Sequence, residues 1–376
     1  MSHLLSRRFL LQTSSSLIAA AASTVLVGNF KPVLAQPTRP SKRPRKTFST
    51  KGRFLYDSNG QKIILRGINL PILDDWDFPQ SDKLAELEKT GANAVRIQWY
   101  KNYGQPNRPA YSIADLDNVL SRCRSSQMIP ILGLWDTTCQ SDVTLLNAQM
   151  IPWWTSDQVL TVLKRHQRYL IINLANELGF YRWTDNPEQA LETYKAAYKS
   201  AITRIRQHLQ VPLMIDAPDC GTSIEVFTKL GEELIAHDPA HNLLFSGHAY
   251  WAAYDGNPHL EAAIRANLPI VFGEIANKQD EESQGKTQYC YYDLDGTTEN
   301  HAAQTGFTYQ AFLQTLKQQE VGWLAWCWWK DGCSVRQMSQ DGNFSGLTAY
   351  GNDLVNHPEY GLKATAQRST AFGRTL

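Results

Sequence analysis

The sequence predicts an α/β protein built as a (β/α)8 TIM barrel, and three observations carry that prediction. Eight short apolar runs recur along the chain, at 63–69, 92–99, 128–134, 169–175, 211–216, 242–248, 269–274 and 322–328. They are near-continuous rather than alternating, as parallel strands buried on both faces are. Stretches with helical periodicity separate them, and about 330 residues follow the N-terminal segment, which suits this fold with some loop insertions. An open doubly wound sheet would carry a glycine-rich phosphate turn after its first strand, and none is present.

Taken in order, the first 35 residues read as an export signal. Ser6-Arg7-Arg8-Phe9-Leu10-Leu11 resembles a twin-arginine motif, an apolar run follows at 17–27, and Val33-Leu34-Ala35 resembles a small-residue cleavage site. The apolar run is short for a membrane span, although retention as an anchor is the alternative to cleavage. Residues 36–50 are Pro-rich and basic and read as a linker, leaving 51–376 as one catalytic-sized domain. Phe54 to Gly60 reads as a hairpin under the barrel, with Asn59-Gly60 as its turn. Ser81 is placed to cap a helix through Leu84, Leu87 and Glu88 that Gly91 stops, and further helices are predicted over 187–208, 230–237, 260–267 and 308–319. Extended loops follow the third run (137–156) and the seventh (276–305).

The chain has 376 residues and a net charge of +1. Residues 1–50 hold eight of the Lys and Arg and no acid, so the remainder carries 29 basic and 36 acidic residues, a net of −7. That excludes a basic face for nucleic acid. Six cysteines, all after residue 35, allow fifteen full pairings, and the expectation is that some are bridged in an exported protein and some free and buried. Eleven Trp suit both a core and a flat sugar-binding surface. His237 and His241 have a metal-ligating spacing, but Asp238-Pro239 breaks the helix between them and no Glu follows His237, so no metal is expected.

A barrel of this kind places its active site at the C-terminal ends of its strands. Read there, the second run supplies Arg96, the fourth ends in Asn176-Glu177, the sixth in His248-Ala249-Tyr250, the seventh in Glu274, and the eighth carries Trp326 and Trp328. Two carboxyl groups facing each other across one mouth are what glycosidic bond cleavage needs. Arg96 can hold one carboxylate ionised, Tyr250 can donate to it, Asn176 can reach a sugar 2-hydroxyl, and Trp326 offers a floor for a pyranose ring. Trp135, Trp153, Trp154 and Trp328 are further candidate cleft aromatics, as are Tyr289, Tyr291 and Tyr292.

The set Arg96, Asn176-Glu177, His248-x-Tyr250, Glu274 and Trp326 resembles glycoside hydrolase family 5. Leu65-Arg66-Gly67-Ile68-Asn69, Gly91-Ala92-Asn93-Ala94-Val95-Arg96 and Val271-Phe272-Gly273-Glu274 extend the likeness, which runs over 52–360. The resemblance implies Glu177 as acid/base, Glu274 as nucleophile, retention by double displacement, and no metal or organic cofactor. The fifth, sixth and eighth runs and Gly346-Leu347-Thr348-Ala349-Tyr350-Gly351 are closest to the bacterial β-mannanase-like branch. The chain departs from it at 70–76, where those mannanases carry a His-rich stretch, and at Trp135-Asp136, where the family usually places a His. The expectation is a monomeric, exported endo-β-1,4-glycanase, periplasmic or extracellular, acting on a polysaccharide or oligosaccharide, cellulase-like first and mannanase-like second. An exo-acting β-glucosidase or β-1,3-glucanase, and a catalytically silent glycan-binding envelope protein, are the alternatives.

Overall fold

The computed structural model describes residues 47–71, 83–101, 111–283, 286–296 and 305–373. The export segment, the linker as far as Lys46, residues 72–76 and the Ser81 cap lie outside the described residues. Each of the eight apolar runs coincides, to within a residue at its C-terminal end, with one strand of a closed parallel barrel or encloses it. The strands are β1 Arg66–Leu70, β2 Ala94–Trp99, β3 Ile129–Leu134, β4 Ile171–Asn173, β5 Leu213–Asp216, β6 Leu243–His248, β7 Ile270–Ile275 and β8 Gly322–Ala325. They pair in sequence order, and β8 closes the ring against β1. A helix follows each: α1 Lys83–Glu88, α2 Ile113–Ser125, α3 Asp157–His166, α4 Pro187–Arg206, α5 Glu225–His237, α6 Asn257–Arg265, α7 Tyr309–Gln318 and α8 Ala349–Asn356.

Local chemistry sets the helix starts. Ser112 and Asp115 cap α2 reciprocally, Asn186 caps α4 ahead of Pro187, and Thr308 accepts from Ala311 N at the start of α7. Among the described residues no helix is long and apolar enough to cross a membrane.

Two expectations needed correction. The fold starts before residue 51: Phe48 is fully buried, and Ser49–Lys51 pairs with Phe54–Tyr56, which pairs in turn with Lys62–Ile63. This small sheet closes the barrel bottom, because Phe48, Leu55 and Ile63 pack against Ala94, Ile129 and Ile171. The stretch 137–156 is not a plain loop. Leu146–Met150 forms a π-helical turn that runs into a helix at Ile151–Trp154. The other long segment, after β7, is a hairpin of Lys278–Ser283 with Lys286–Asp293.

The strand period of two sorts the barrel interior into layers. Ala94, Ile131, Ile171, Met214, Leu244 and Leu324 belong to an apolar lower layer continuous with the bottom sheet. Two residues further along their strands stand Arg96, Gly133, Asn173, Asp216 and Ser246. Asn69 joins this upper layer in register with Arg96. The change from apolar to polar along β2, β4, β5 and β6 therefore marks the start of the functional end.

Candidate active site

Arg96 organises the polar layer. It is fully buried, and its guanidinium spends every N–H on an oxygen of a neighbouring strand or strand end. Nη1 donates to Glu274 Oε1 (2.8 Å) and Asn69 Oδ1 (3.1 Å), Nη2 to Asn173 Oδ1 (2.7 Å), Asn176 Oδ1 (2.7 Å) and Asp216 Oδ2 (2.9 Å), and Nε to Asn173 Oδ1. The rigid planar fork suits this many fixed acceptors, as an ammonium group would not. Arg96→Ala would leave Asp216 and Glu274 buried without a counter-charge. The expected cost is about 3–5 kcal/mol of unfolding free energy, read by urea denaturation.

Glu274 is 4% exposed at the end of β7. The register between β6 and β7 shifts between Phe272 and Glu274, which brings Glu274 opposite His248. Besides Arg96, it accepts a hydrogen bond from the Tyr250 hydroxyl (2.8 Å). Burial raises its pKa and the Glu177 charge adds to that, while His248, Arg96 and the Tyr250 bond work the other way.

Glu177 lies four residues past the end of β4, with a left-handed backbone (φ 49°) that is costly for a residue with a side chain. The turn aims its carboxyl back into the mouth. Oε1 is 2.6 Å from His248 Nδ1, and Oε2 is 3.1 Å from Cys139 Sγ. Its main-chain N–H donates to Asp216 Oδ2 (3.3 Å). No guanidinium touches this carboxyl, so burial first, then the nearby Asp216 charge, push its pKa up to about 8. Two carboxyl groups in one site thus have unlike surroundings: Glu274 is bonded to a cation and a hydroxyl, while Glu177 is paired with an imidazole and abuts a disulfide sulfur.

His248 is fully buried, and burial lowers its pKa against the opposing pull of the Glu274 and Asp216 charges. A neutral imidazole nitrogen can donate or accept, according to tautomer, which suits a partner that changes protonation state. The ring fits because Gly221 (φ +80°) has no side chain: a Cβ there would lie 2.4 Å from His248 Cγ. Oxygens of Glu177 and Glu274 and a nitrogen of His248 all lie within 4.8 Å of one another. Three such groups could hold a cation, but Arg96 already supplies positive charge to this cluster.

The mouth is a cleft of about 700 Å³. Asn176, Glu177, Tyr250, Glu274, Trp135 and Trp326 line it together. Asn176 Nδ2 donates to Thr138 Oγ1 (3.1 Å), and the Trp326 indole N–H donates to Asp331. Trp135 sits with its ring 4.2 Å from the Arg96 guanidinium. Gly133 makes that possible, since a Cβ there would lie 2.4 Å from the indole.

The other aromatic candidates are elsewhere. Trp154 is fully buried behind β4 and donates to Leu174 O, and Trp328 is fully buried and donates to Gly342 O. Trp153 packs edge-on against Trp154 on the core side. The helix at Ile151–Trp154 turns this pair inward. Trp154→Ala is accordingly expected to cost about 3–5 kcal/mol in stability, checked by thermal or urea unfolding, with no dependence of KM on substrate length. Tyr289 and Tyr291 stay exposed on the outer hairpin, and Tyr292 bonds Glu281. His237 Nε2 contacts Thr203 and Lys199 O, and His241 Nδ1 contacts Ile235 O, so the two do not converge.

Sequence reading missed Asn69, Asn173 and Asp216, although each is a polar residue in or ending an apolar run, the same signal that picked out Glu274. It also missed Arg336, which lines the cleft and is held by Asp280 (2.9 Å) and Asp331 (2.6 Å), and Trp183, which lines the cleft at 53% exposure.

Comparison with known proteins agrees with this geometry. The family model for Cellulase (glycosyl hydrolase family 5) matches residues 56–332. A mannan endo-1,4-beta-mannosidase of Cellvibrio japonicus is 27% identical over 336 residues, covering 87% of this chain and 69% of that one. Another from Streptomyces lividans is 26% identical, covering 84% and 75%. In fold, the chain is similar to the beta-mannanase of Streptomyces thermolilacinus solved with mannohexaose, at a TM-score of 0.70 and 24% identity, covering 88% of this chain and all of that one. With a family match over most of the barrel, the chain belongs to glycosyl hydrolase family 5.

Proposed function

We propose that this glycoside hydrolase is a retaining endo-β-1,4-glycanase, with mannan as its first substrate and cellulose-type glucan as its second. The observation that carries the reaction is the unlike pair of carboxyl groups: Glu274 held by Arg96 and Tyr250, and Glu177 protonated up to about pH 8, with oxygens within 4.8 Å. Carboxyl groups about 5–5.5 Å apart leave no room for a water between sugar and base, whereas inversion needs about 6.5–9.5 Å. The order of substrates reverses the sequence expectation and is supported by the mannosidase relatives.

In the first step a Glu274 oxygen attacks the anomeric carbon while Glu177 gives its proton to the departing glycosidic oxygen. The C–O bond to the leaving sugar breaks with its electron pair, and a glycosyl ester forms on Glu274. That ester carries no charge, so the electrostatic load on Glu177 changes sign of purpose: now ionised, it takes a proton from water. The water oxygen attacks the anomeric carbon, the ester bond breaks, and both carboxyls return to their starting states. Arg96 and Tyr250 hold Glu274 ionised and oriented before attack. Trp326 gives the ring a flat surface at the reacting position.

The cleft is open and lined from several strand loops, which supports attack within a chain. Trp183, on the loop after β4, rests edge-on against Phe180, and the main-chain N–H groups of Tyr181, Arg182 and Trp183 all donate to Asp219. Trp183→Ala is expected to raise KM about tenfold on long oligosaccharides and little on disaccharides, with an unchanged unfolding midpoint. Equal KM values across chain lengths would remove it from the substrate path.

Two disulfides, Cys139–Cys220 and Cys290–Cys333, suit the oxidising compartment to which the N-terminal twin-arginine-like segment would direct the chain. Cys123 and Cys327 are buried and lie outside these two bridges. The deciding assay is reducing-sugar release by the purified enzyme from galactomannan, glucomannan, carboxymethyl cellulose, lichenan and laminarin. Release from the mannans above all others supports the reading. Release from laminarin alone, or monosaccharide as the sole first product, would overturn it.

A further inference from the structure

We propose that the Cys139–Cys220 disulfide is a positioning element for the Glu177 carboxyl and forms the wall of the cleft on the leaving-group side. The inference rests on Glu177 being the acid/base. Cys139 lies on the loop after β3 and Cys220 on the loop after β5, so the bridge straddles the end of β4, where Glu177 stands. Both cysteines line the cleft and are partly exposed there. Cys139 Sγ approaches Glu177 Oε2 to 3.1 Å, while His248 holds Oε1 on the other side. A bridged sulfur has no proton to donate and is a poor acceptor, so it does not solvate the carboxylate as water would. It leaves Oε2 as the oxygen that carries a proton to the leaving group.

The main chain is laced across the same span. Cys139 N donates to Glu177 O (3.1 Å), Gly179 N to Gln140 O (2.8 Å) and Asp219 N to Gly179 O (2.9 Å). Glu177, Cys139, Asp219 and Cys220 all take left-handed backbones, with φ between 49° and 55°. Such backbones persist only where the surroundings over-determine them, and a covalent tie between the flanking loops does that. The other bridge, Cys290–Cys333, ties the hairpin after β7 to the loop after β8.

The test is the double variant Cys139→Ala/Cys220→Ala, assayed on dinitrophenyl and methoxyphenyl β-glycosides of one active oligosaccharide. Loss of acid positioning should cut kcat/KM at least about tenfold for the methoxyphenyl compound, which needs a proton on its leaving oxygen, and under about threefold for the dinitrophenyl one. The basic limb of the pH profile should also move to lower pH as water reaches Glu177. A staple with no role at the carboxyl would lower the unfolding midpoint and reduce both substrates alike. Equal losses, or an unmoved basic limb in a folded variant, overturn the inference.

If the variant fails to fold, the native chain is reduced with tris(2-carboxyethyl)phosphine. One phosphine and one water then give two thiols and a phosphine oxide, and alkylation mapping confirms which bridge has opened. The same two readouts apply, with recovery on reoxidation expected; opening of Cys139–Cys220 without either change overturns the inference. Glu177→Ala runs alongside. If it shows leaving-group dependence and the bridge variant does not, the bridge inference alone falls. If Glu177→Ala shows none, the acid/base assignment falls first.

Discussion

Glu274→Ala is expected to lower turnover by at least about 10⁴-fold on every substrate, whatever the leaving group. In the proposed mechanism its carboxylate oxygen makes the new bond, so no choice of leaving group compensates for its removal. The surroundings of Glu274 suit that proposed role. Arg96 and the Tyr250 hydroxyl each donate to a different oxygen, which fixes the carboxyl plane as well as its charge. Neighbouring acids do not substitute, because Asp216 is fully buried under Arg96 and Asn173, behind the reacting position. The variant should remain folded, since Arg96 keeps its bonds to Asp216, Asn69, Asn173 and Asn176. Reducing-sugar release measures the loss, with circular dichroism and the unfolding midpoint as the fold control. A folded variant retaining more than about one hundredth of wild-type turnover would point to another nucleophile.

The barrel and this residue were legible for the same reason. A strand buried on both faces is written in apolar residues, so a Glu that ends such a run has no structural excuse, and Glu274 stood out. Asp216 carries the same signal and was read only as the end of its strand, because nothing in one strand says which neighbours it faces across the barrel. That information lies in the register, where Arg96 reaches across to Asn173 and Asp216. Aromatic residues were harder. Trp154 and Trp183 are equally conspicuous in a sequence, yet one is a core residue and the other lines the cleft. What separates them is a helical turn at 146–154 that rotates Trp154 inward, and a three-pronged Asp219 cap that holds the Trp183 loop out. The cysteine pairing was out of reach for a related reason. It depends on which loops rise side by side at the mouth, a property of barrel closure rather than of spacing.

Glu177→Ala should separate the two halves of the reaction. On the polysaccharide, turnover should fall about 10²–10⁴-fold, the usual contribution of a positioned general acid. On a dinitrophenyl glycoside the first step needs little protonation, so formation of the glycosyl ester should proceed, and a burst of dinitrophenol should precede a slow steady state limited by unassisted attack of water. The pH profile of the wild-type enzyme carries the complementary evidence. As the proposed acid, Glu177 must hold its proton to start the reaction, so activity is expected below its folded pKa and is expected to be lost as pH rises through about 8. As the proposed nucleophile, Glu274 must be ionised, so activity is also expected to be lost as pH falls through its own pKa, which burial sets above the ordinary glutamate value. The product is a bell with its basic limb near 8. In Glu177→Ala that basic limb should vanish for the dinitrophenyl substrate while the acidic limb stays. An unchanged basic limb in the variant would assign it to another group and remove Glu177 from the role of acid.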